Sequence, residues 1–456
     1  MRRVFSSVVI IAAASVFGAL FVLNLTNWVY FADTLAAIAY HYALPAALVA
    51  AALFIFRLSA NGRLTAALCL AAVVPALYLT ELALGEQARN PDARMGGEID
   101  RRNKIDVILD LRKQGIDAYP AMRARSMLVP GPGEQEPGEK LVSALGGDGL
   151  LPLASLPGKR TVTCNESGAW VTFDSDEYGF NNPPGSWKAP PRIALVGDSF
   201  TQGDCVPPEK NIAAHLNRRF GGVLNLGVAG HGPLSELAAV KEYLSPIKPK
   251  VVLWMYFEGN DLFKDLPEER RSEVLMSYLE EGFRQGLMEK GEEAARRFQT
   301  YLDNRLTEAM GRVDSPYEGL LDFLKLFYLR ENFGLDPVGL GLAEPVTKDD
   351  LDLFRDILRE ARRTVGSWGG KLVFVFMPDA PRYFASARNS RIRDRVRRQV
   401  LDIAKDLGLP VIDVHEVFAA APDPQALFVY PGSHYNEDGY KRAADAIAQE
   451  LKKGLE

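Results

Sequence analysis

The stretch that most constrains this chain is residues 193–203, IALVGDSFTQG. A fully apolar run over 193–196 stops at Gly197-Asp198-Ser199, and a helix-like segment follows from Pro207. A short apolar run closed by a turn signal reads as a strand buried on both faces, as in a parallel sheet. Its end exposes a serine at the carboxyl end of a strand, where open α/β sheets bind ligands. A Gly-Asp-Ser tripeptide alone says little. Its context has to decide.

Further apolar runs lie at 223–226, 251–257, 372–377 and 411–414, separated by amphipathic segments at 211–220, 234–244, 350–363 and 393–407. This alternation predicts a doubly wound α/β domain with about five parallel strands. A last helix over 438–452 puts Ala443, Ile447 and Leu451 on one face. Upstream, TVTC from Thr161 and WVTFDS flank a Glu-Ser-Gly turn and predict a hairpin, with DEYGFNNP after it.

The first 85 of the 456 residues are nearly all apolar. Residues 4–25, 35–56 and 64–84 are each long enough to cross a hydrocarbon core of about 30 Å. Arg2, Arg3 and the 57–63 turn carry positive charge, whereas 24–33 has no Lys or Arg and holds Trp28 and Tyr30. The positive-inside rule then puts the N-terminus in the cytoplasm and everything after Leu84 outside. A cleaved signal peptide is the rival reading, but two further spans follow and the first stretch is long for one. Within the second span, His41 lies near the outer end, within reach of interfacial water, and Pro45 reads as a kink.

Three domains are expected: a transmembrane anchor over 1–85, a membrane-proximal connector or small subdomain over 86–160, and the α/β domain over 161–456. The connector holds one helix over 100–114, with Ile105, Ile108, Leu109 and Leu111 as its apolar positions, and a loop at PGPGEQEPGEK, 130–140. A charged, helix-rich insertion interrupts the α/β domain at about 262–348. It is either a solvated helical cap or a lid. With 53 basic and 58 acidic residues the net charge is −5, and no basic surplus calls for nucleic acid.

Acyl transfer through serine needs a nucleophile, a base in hydrogen-bond reach and donors aimed at the developing oxyanion. GDSFTQG offers Ser199. NLGVAG, ending at Gly230, follows the second strand and offers a backbone amide. GND after the third strand offers the Asn260 carboxamide, and GSHYN before the last helix offers the His434 imidazole. Four such blocks, in this order and at strand ends or helix starts, resemble the SGNH (GDSL-type) hydrolase superfamily from about Asp174 onward, the insertion excepted. The resemblance implies a flavodoxin-like parallel sheet and serine acyl chemistry. It implies Ser199 as nucleophile, His434 as general base, and the Ser199 amide, Gly230 amide and Asn260 side chain as oxyanion hole. The family usually has Asp three residues before that histidine, and here the position is Pro431. Either a backbone carbonyl holds His434 in a Ser-His dyad, or an acid from elsewhere does, with Asp379 and Asp413 as candidates at strand ends.

Asp198 is expected to brace the turn. His231 reads as a substrate contact or a polar loop residue, and His215 and His415 as structural or solvent-facing. No His/Cys/Asp cluster has metal-ligand spacing and no glycine loop cradles phosphate, so no cofactor or metal is expected. Cys164 and Cys205 fall outside the spans, where an oxidising compartment allows a disulfide tying the hairpin to the rim of the site.

The function expected is that of a bacterial inner-membrane protein with its catalytic domain periplasmic or extracellular. It would be an O-acetyl esterase or O-acetyltransferase acting on a cell-envelope glycan. The alternatives are a lipase or general esterase, and a catalytically silent scaffold or glycan-binding protein. Expected partners are the glycan or acyl-ester substrate, membrane lipid and a membrane acyl-donor protein.

Overall fold

The computed structural model describes residues 2–25, 38–89, 99–131, 140–146, 149–311, 323–333, 346–384, 387–430 and 432–455. Two compact units emerge, one of residues 1–93, 133–139 and 312–345, the other of 94–132, 140–311 and 346–456. The stretch expected as connector and the expected insertion are thus each divided between the two units.

The first unit holds the apolar helices. Arg2–Val22, Ala39–Arg57 and Ala60–Gly85 are each long and apolar enough to cross a membrane. The expected loop with Trp28 and Tyr30 lies outside the described residues. The second span opens with a π-helical turn, Ala39–Ala43, and Pro45 sits in the first turn of the α-helix Leu44–Phe54. The chain is already helical ahead of Pro45, which has no N–H to give the His41 carbonyl four residues back. Asn24 Nδ2 donates to the His41 carbonyl at 2.6 Å, and the Tyr42 hydroxyl donates to the Asn24 carbonyl at 2.9 Å. The short helix Phe327–Phe333, from the insertion, belongs to this unit. Its Tyr328 and Leu329 amides donate to the buried Glu81 carboxylate at 2.9 and 2.7 Å. That satisfies an acid set in an otherwise apolar helix.

The second unit is built on a five-stranded parallel sheet. Its strands, numbered among the ten found in the described residues, are β6 (Ile193–Gly197), β7 (Val223–Gly227), β8 (Val251–Phe257), β9 (Lys371–Met377) and β10 (Val411–Asp413). They lie side by side as β10-β9-β8-β6-β7, which is the flavodoxin-like order. Alternate residues feed opposite faces, as the two-residue period of a strand demands. Ala194, Val196, Trp254 and Phe374 join the core under Pro233–Ala239 and Lys348–Gly366. Ile193, Leu195, Met255 and Val375 join the core under Ile212–Phe220 and Glu437–Leu455. On Lys348–Gly366, Phe354, Ile357, Leu358, Ala361 and Val365 are buried along one stripe, and Thr347 and Asp350 close a capping box at its start. Each large apolar side chain so buried contributes about 1.5–3 kcal/mol.

A smaller sheet packs in the same unit. It holds β1 (Ala118–Pro120), β4 (Arg160–Val162) and β5 (Thr172–Asp174), in the order β1-β4-β5. β4 and β5 pair antiparallel as the expected hairpin. The expected upstream helix spans Lys104–Lys113, capped by the Asn103 side chain. The DEYGFNNP loop clamps the large sheet: Asn182 accepts from the Asn225 amide and donates to its carbonyl, at 2.8 and 2.9 Å.

Candidate active site

β6 is paired with β7 on one side and β8 on the other, and Gly197 is level with Gly227 and Met255. Ser199, Gly230 and Asn260 each follow one of these three strands, so all three fall at the same carboxyl edge. A Cβ at Gly197 would meet Thr201 Oγ1 at 2.1 Å and Met255 Cβ at 2.9 Å. Only glycine lets the chain turn this tightly from strand into the helical turn Ser199–Gln202. Asp198 caps that turn, its Oδ1 accepting the Phe200 amide at 2.9 Å. Burial pushes the Asp198 carboxyl up to about 7, against the pull of that amide, of His434 and of the Asn260 carboxamide.

His434 Nε2 lies 2.8 Å from Ser199 Oγ. Its Nδ1 lies 3.0 Å from Glu166 Oε2, and the same oxygen accepts the His434 backbone amide at 2.8 Å. A carboxylate can only accept, so Nδ1 carries the proton and Nε2 is free to accept from the serine hydroxyl. Phe200 lies against the imidazole with ring centroids 4.6 Å apart, itself stacked on Phe257 at 3.8 Å. The next residue, Tyr435, is anchored by its hydroxyl to the Pro378 carbonyl at 2.6 Å. Burial alone would depress the His434 imidazole. The Glu166 carboxylate, helped by Asp204 and Asp198, outweighs it and the net shift is upward. Burial likewise opposes ionisation of Glu166, but the bonds to His434 win and its carboxyl is held below the usual range.

Neither Asp379 nor Asp413 bonds the imidazole. Asp379 is paired with Arg393 at 2.8 Å and Asp413 with Arg397. The carboxylate that bonds the imidazole is Glu166, in the turn of the Thr161 hairpin, where the sequence carries only a turn signal. One signal pointed toward it: Glu166 is two residues past Cys164, whose expected pairing would bring that turn to the rim. Cys164 and Cys205 are disulfide-bonded. Pro431 lies outside the described residues.

Gly230 takes φ +77°, a left-handed conformation that costs glycine little. The loop it belongs to is braced from the insertion. Glu269, fully buried, accepts the Gly232, Leu234 and Ser235 amides at 2.8, 2.9 and 3.3 Å. Burial pushes the Glu269 carboxyl up to about 7 despite those bonds. His231 is fully buried, with neither ring nitrogen bonded among the described residues, and burial pushes it down to about 3. His415 accepts or donates at Nδ1 to the Tyr383 hydroxyl, 2.8 Å away, and His215 at Nδ1 lies 2.7 Å from Arg218.

The fold also gathers what sequence spacing did not. Ligand atoms of Cys164, Glu166, Cys205 and His434 all lie within 4.8 Å of one another. The two sulfurs are bonded to each other, and Glu166 is engaged with His434, so these four do not form a metal-binding set in this state. An apolar cavity of about 330 Å³ between Leu153, Tyr178, Tyr243, Met288 and Phe298 includes none of the site residues.

The model of the GDSL-like lipase/acylhydrolase family matches residues 195–442, more than half of the chain. The chain belongs to that family. It is a family of the SGNH type, and the parallel sheet is its α/β fold. Membership makes the chain a serine esterase or hydrolase by class. Among solved structures, similar ones include a G-D-S-L lipolytic protein of Desulfitobacterium hafniense, at 13% identity, 56% of this chain, 97% of that one and TM-score 0.33. A lipase/acylhydrolase of Enterococcus faecalis follows at 16%, 58%, 96% and 0.33. An acetyl xylan esterase is similar at 10%, 57%, 98% and 0.31. No curated protein matches the chain.

Proposed function

We propose that the chain is a membrane-anchored acyl-ester enzyme of the cell envelope, working through Ser199, His434 and Glu166. The observation that carries the reading is the continuous line Ser199 Oγ, His434 Nε2, His434 Nδ1, Glu166 Oε2, with separations of 2.8 Å and 3.0 Å at its two hydrogen bonds. In the reaction Ser199 Oγ attacks the ester carbonyl while His434 Nε2 takes its proton. Glu166 stabilises the imidazolium, and the oxyanion is met by the Ser199 amide, the Gly230 amide and the Asn260 carboxamide. His434 returns the proton to the leaving alcohol. A second cycle with water gives hydrolysis, and with a sugar hydroxyl gives transfer.

The substrate proposed is an O-acetylated envelope glycan, with the catalytic unit outside the cytoplasmic membrane. Three features support this. The apolar helices are long enough to anchor the chain, the Arg residues flanking them orient the N-terminus inward, and a disulfide suits an oxidising compartment. A groove of about 800 Å³ runs beside the disulfide, lined by Thr172, Asn436 and Glu437 and by the apolar Trp170, Val206 and Phe428. Its polar groups and its indole can contact a sugar ring. The catalytically silent reading drew on the lack of an acid before His434, and Glu166 supplies one.

The test is burst and steady-state release from a p-nitrophenyl ester series of increasing acyl length, with Ser199→Ala and His434→Ala alongside. Release favouring acetyl and lost in both variants is expected. Preference for long chains would make the protein a lipase, and equal release by wild type and Ser199→Ala would remove the enzymatic reading.

A further inference from the structure

The disulfide is interwoven with the hydrogen bonds that hold the catalytic acid. Cys164 Sγ accepts the Glu166 amide at 3.3 Å, and Cys205 Sγ lies 3.3 Å from His434 Nδ1, the nitrogen that Glu166 engages. The bond therefore joins the turn that carries the acid to the loop that follows the nucleophile. On its other side the turn is bonded to the segment just ahead of the helix Lys104–Lys113: Asn165 Nδ2 donates to the Asp100 carbonyl at 2.7 Å, the Asp100 amide to the Gly168 carbonyl at 2.8 Å, and Trp170 Nε1 to the Arg102 carbonyl at 2.9 Å. These bonds hold the turn to that segment and do not pull it toward Ser199. Cys205 is also held in the left-handed region, at φ +68°. A non-glycine residue stays there only where its surroundings over-determine it. The Cys164–Cys205 linkage is the covalent restraint that can do so.

We propose that the Cys164–Cys205 disulfide is a positioning element of the active site, holding the Glu166 carboxylate on His434 so that the general base is fully assembled only in the oxidised protein. The inference rests on the Ser199–His434–Glu166 reading. Reduction by a dithiol breaks the S–S bond. The dithiol gives two electrons and two protons, leaving two cysteine thiols and an oxidised dithiol. The sulfurs then separate to non-bonded distance, and the Glu166–His434 contact is left to its two hydrogen bonds while the turn stays bonded to Asp100 and Arg102. Glu166, desolvated against His434, moves toward water, and the imidazole loses the partner that sets its tautomer.

The full chain in detergent micelles, with ¹³C-labelled histidine and a chelator present, tests this. The His434 imidazole is titrated by NMR, assigned with His434→Asn, in the oxidised protein, after dithiothreitol, and in Glu166→Gln. Two disulfide-free variants accompany them: Cys164→Ser with Cys205→Ser, and Cys164→Ala with Cys205→Gly, the glycine accepting the left-handed backbone. In the oxidised protein His434 is expected to titrate above 6.5. In the reduced and disulfide-free proteins it is expected to titrate lower, alongside Glu166→Gln. Turnover of p-nitrophenyl acetate is expected to fall at least tenfold in kcat with KM within about twofold, and oxidised glutathione to restore it. A His434 titration and a kcat unchanged by reduction and by both variants would overturn the proposal. So would loss of near-UV circular dichroism on reduction, which would make the bond a brace for the whole unit. If the oxidised protein shows no Ser199-dependent turnover, the esterase reading fails separately, and the NMR comparison still decides whether the disulfide sets the Glu166–His434 contact.

Discussion

Glu166 and His434 are 268 residues apart in sequence, yet Glu166 Oε2 receives both the backbone amide and the Nδ1–H of His434, at 2.8 and 3.0 Å. A carboxylate holding both donors fixes the ring's position as well as its tautomer. The acid thus comes from the upstream hairpin rather than from the loop that carries the histidine.

Glu166→Gln keeps the size of the side chain but removes the charge that favours imidazolium. Turnover of p-nitrophenyl acetate is expected to drop by about 10²–10⁴ in kcat, with KM little changed. An unaltered thermal unfolding midpoint would show that the loss is chemical.

The base works only when His434 Nε2 is unprotonated. Because Glu166, Asp204 and Asp198 together raise His434 above its usual 6.5, kcat/KM should climb with pH along a limb centred above 6.5. Removing Glu166 leaves burial to dominate, so the limb in Glu166→Gln moves to lower pH. A limb that stays in place would count against the coupling.

Asn260→Ala tests the oxyanion hole. Loss of one preorganised donor costs about 10²–10³ in kcat, roughly 3–4 kcal/mol. Retained kcat would place the developing charge elsewhere.

Glu269 reaches the site through the loop after Gly230 and not by touching substrate. Glu269→Ala leaves the Gly232, Leu234 and Ser235 amides without their buried acceptor. Each buried donor so stranded costs about 1–3 kcal/mol. A lower unfolding midpoint together with a lower kcat is expected, and Glu269→Gln should recover part of both.

Glu236 is fully buried with neither carboxylate oxygen bonded among the described residues. Burial, and then Asp198, Glu269 and Asp265 nearby, raise its carboxyl well above 4.5. The folded protein keeps this proton where the unfolded chain has lost it. Stability from this group is therefore full below about pH 4.5 and falls as pH rises toward the folded value, at up to about 1.4 kcal/mol per pH unit. Glu236→Gln lacks that slope. Its unfolding midpoint should gain on wild type between pH 5 and 8, and an advantage that does not grow with pH would show that Glu236 is ionised in the fold.

The five strands, their order along the chain and the three apolar spans were legible in the sequence because each is written in local hydropathy. A parallel strand buried on both faces must be continuously apolar, as β6 and β8 are, and a span must be apolar for the thickness it crosses. The places of Ser199, Gly230, Asn260 and His434 at strand ends or a helix start were legible for a related reason. Ligand-facing residues of such a sheet sit just past strand ends or before helix starts, and those points carry Gly, Asn and Asp turn signals.

Glu166 carried no such mark. Its partner is reached by the path of a hairpin and a disulfide through space, and neither leaves a period in the sequence. The same holds for the division of the insertion, where Glu269 braces the Gly230 loop in one unit and Phe327–Phe333 is capped by Glu81 in the other. The sequence by itself determined the elements and the chemistry they could present. The tertiary structure alone decided which carboxylate meets the histidine, because contacts between distant segments are set by packing and chain path rather than by local pattern.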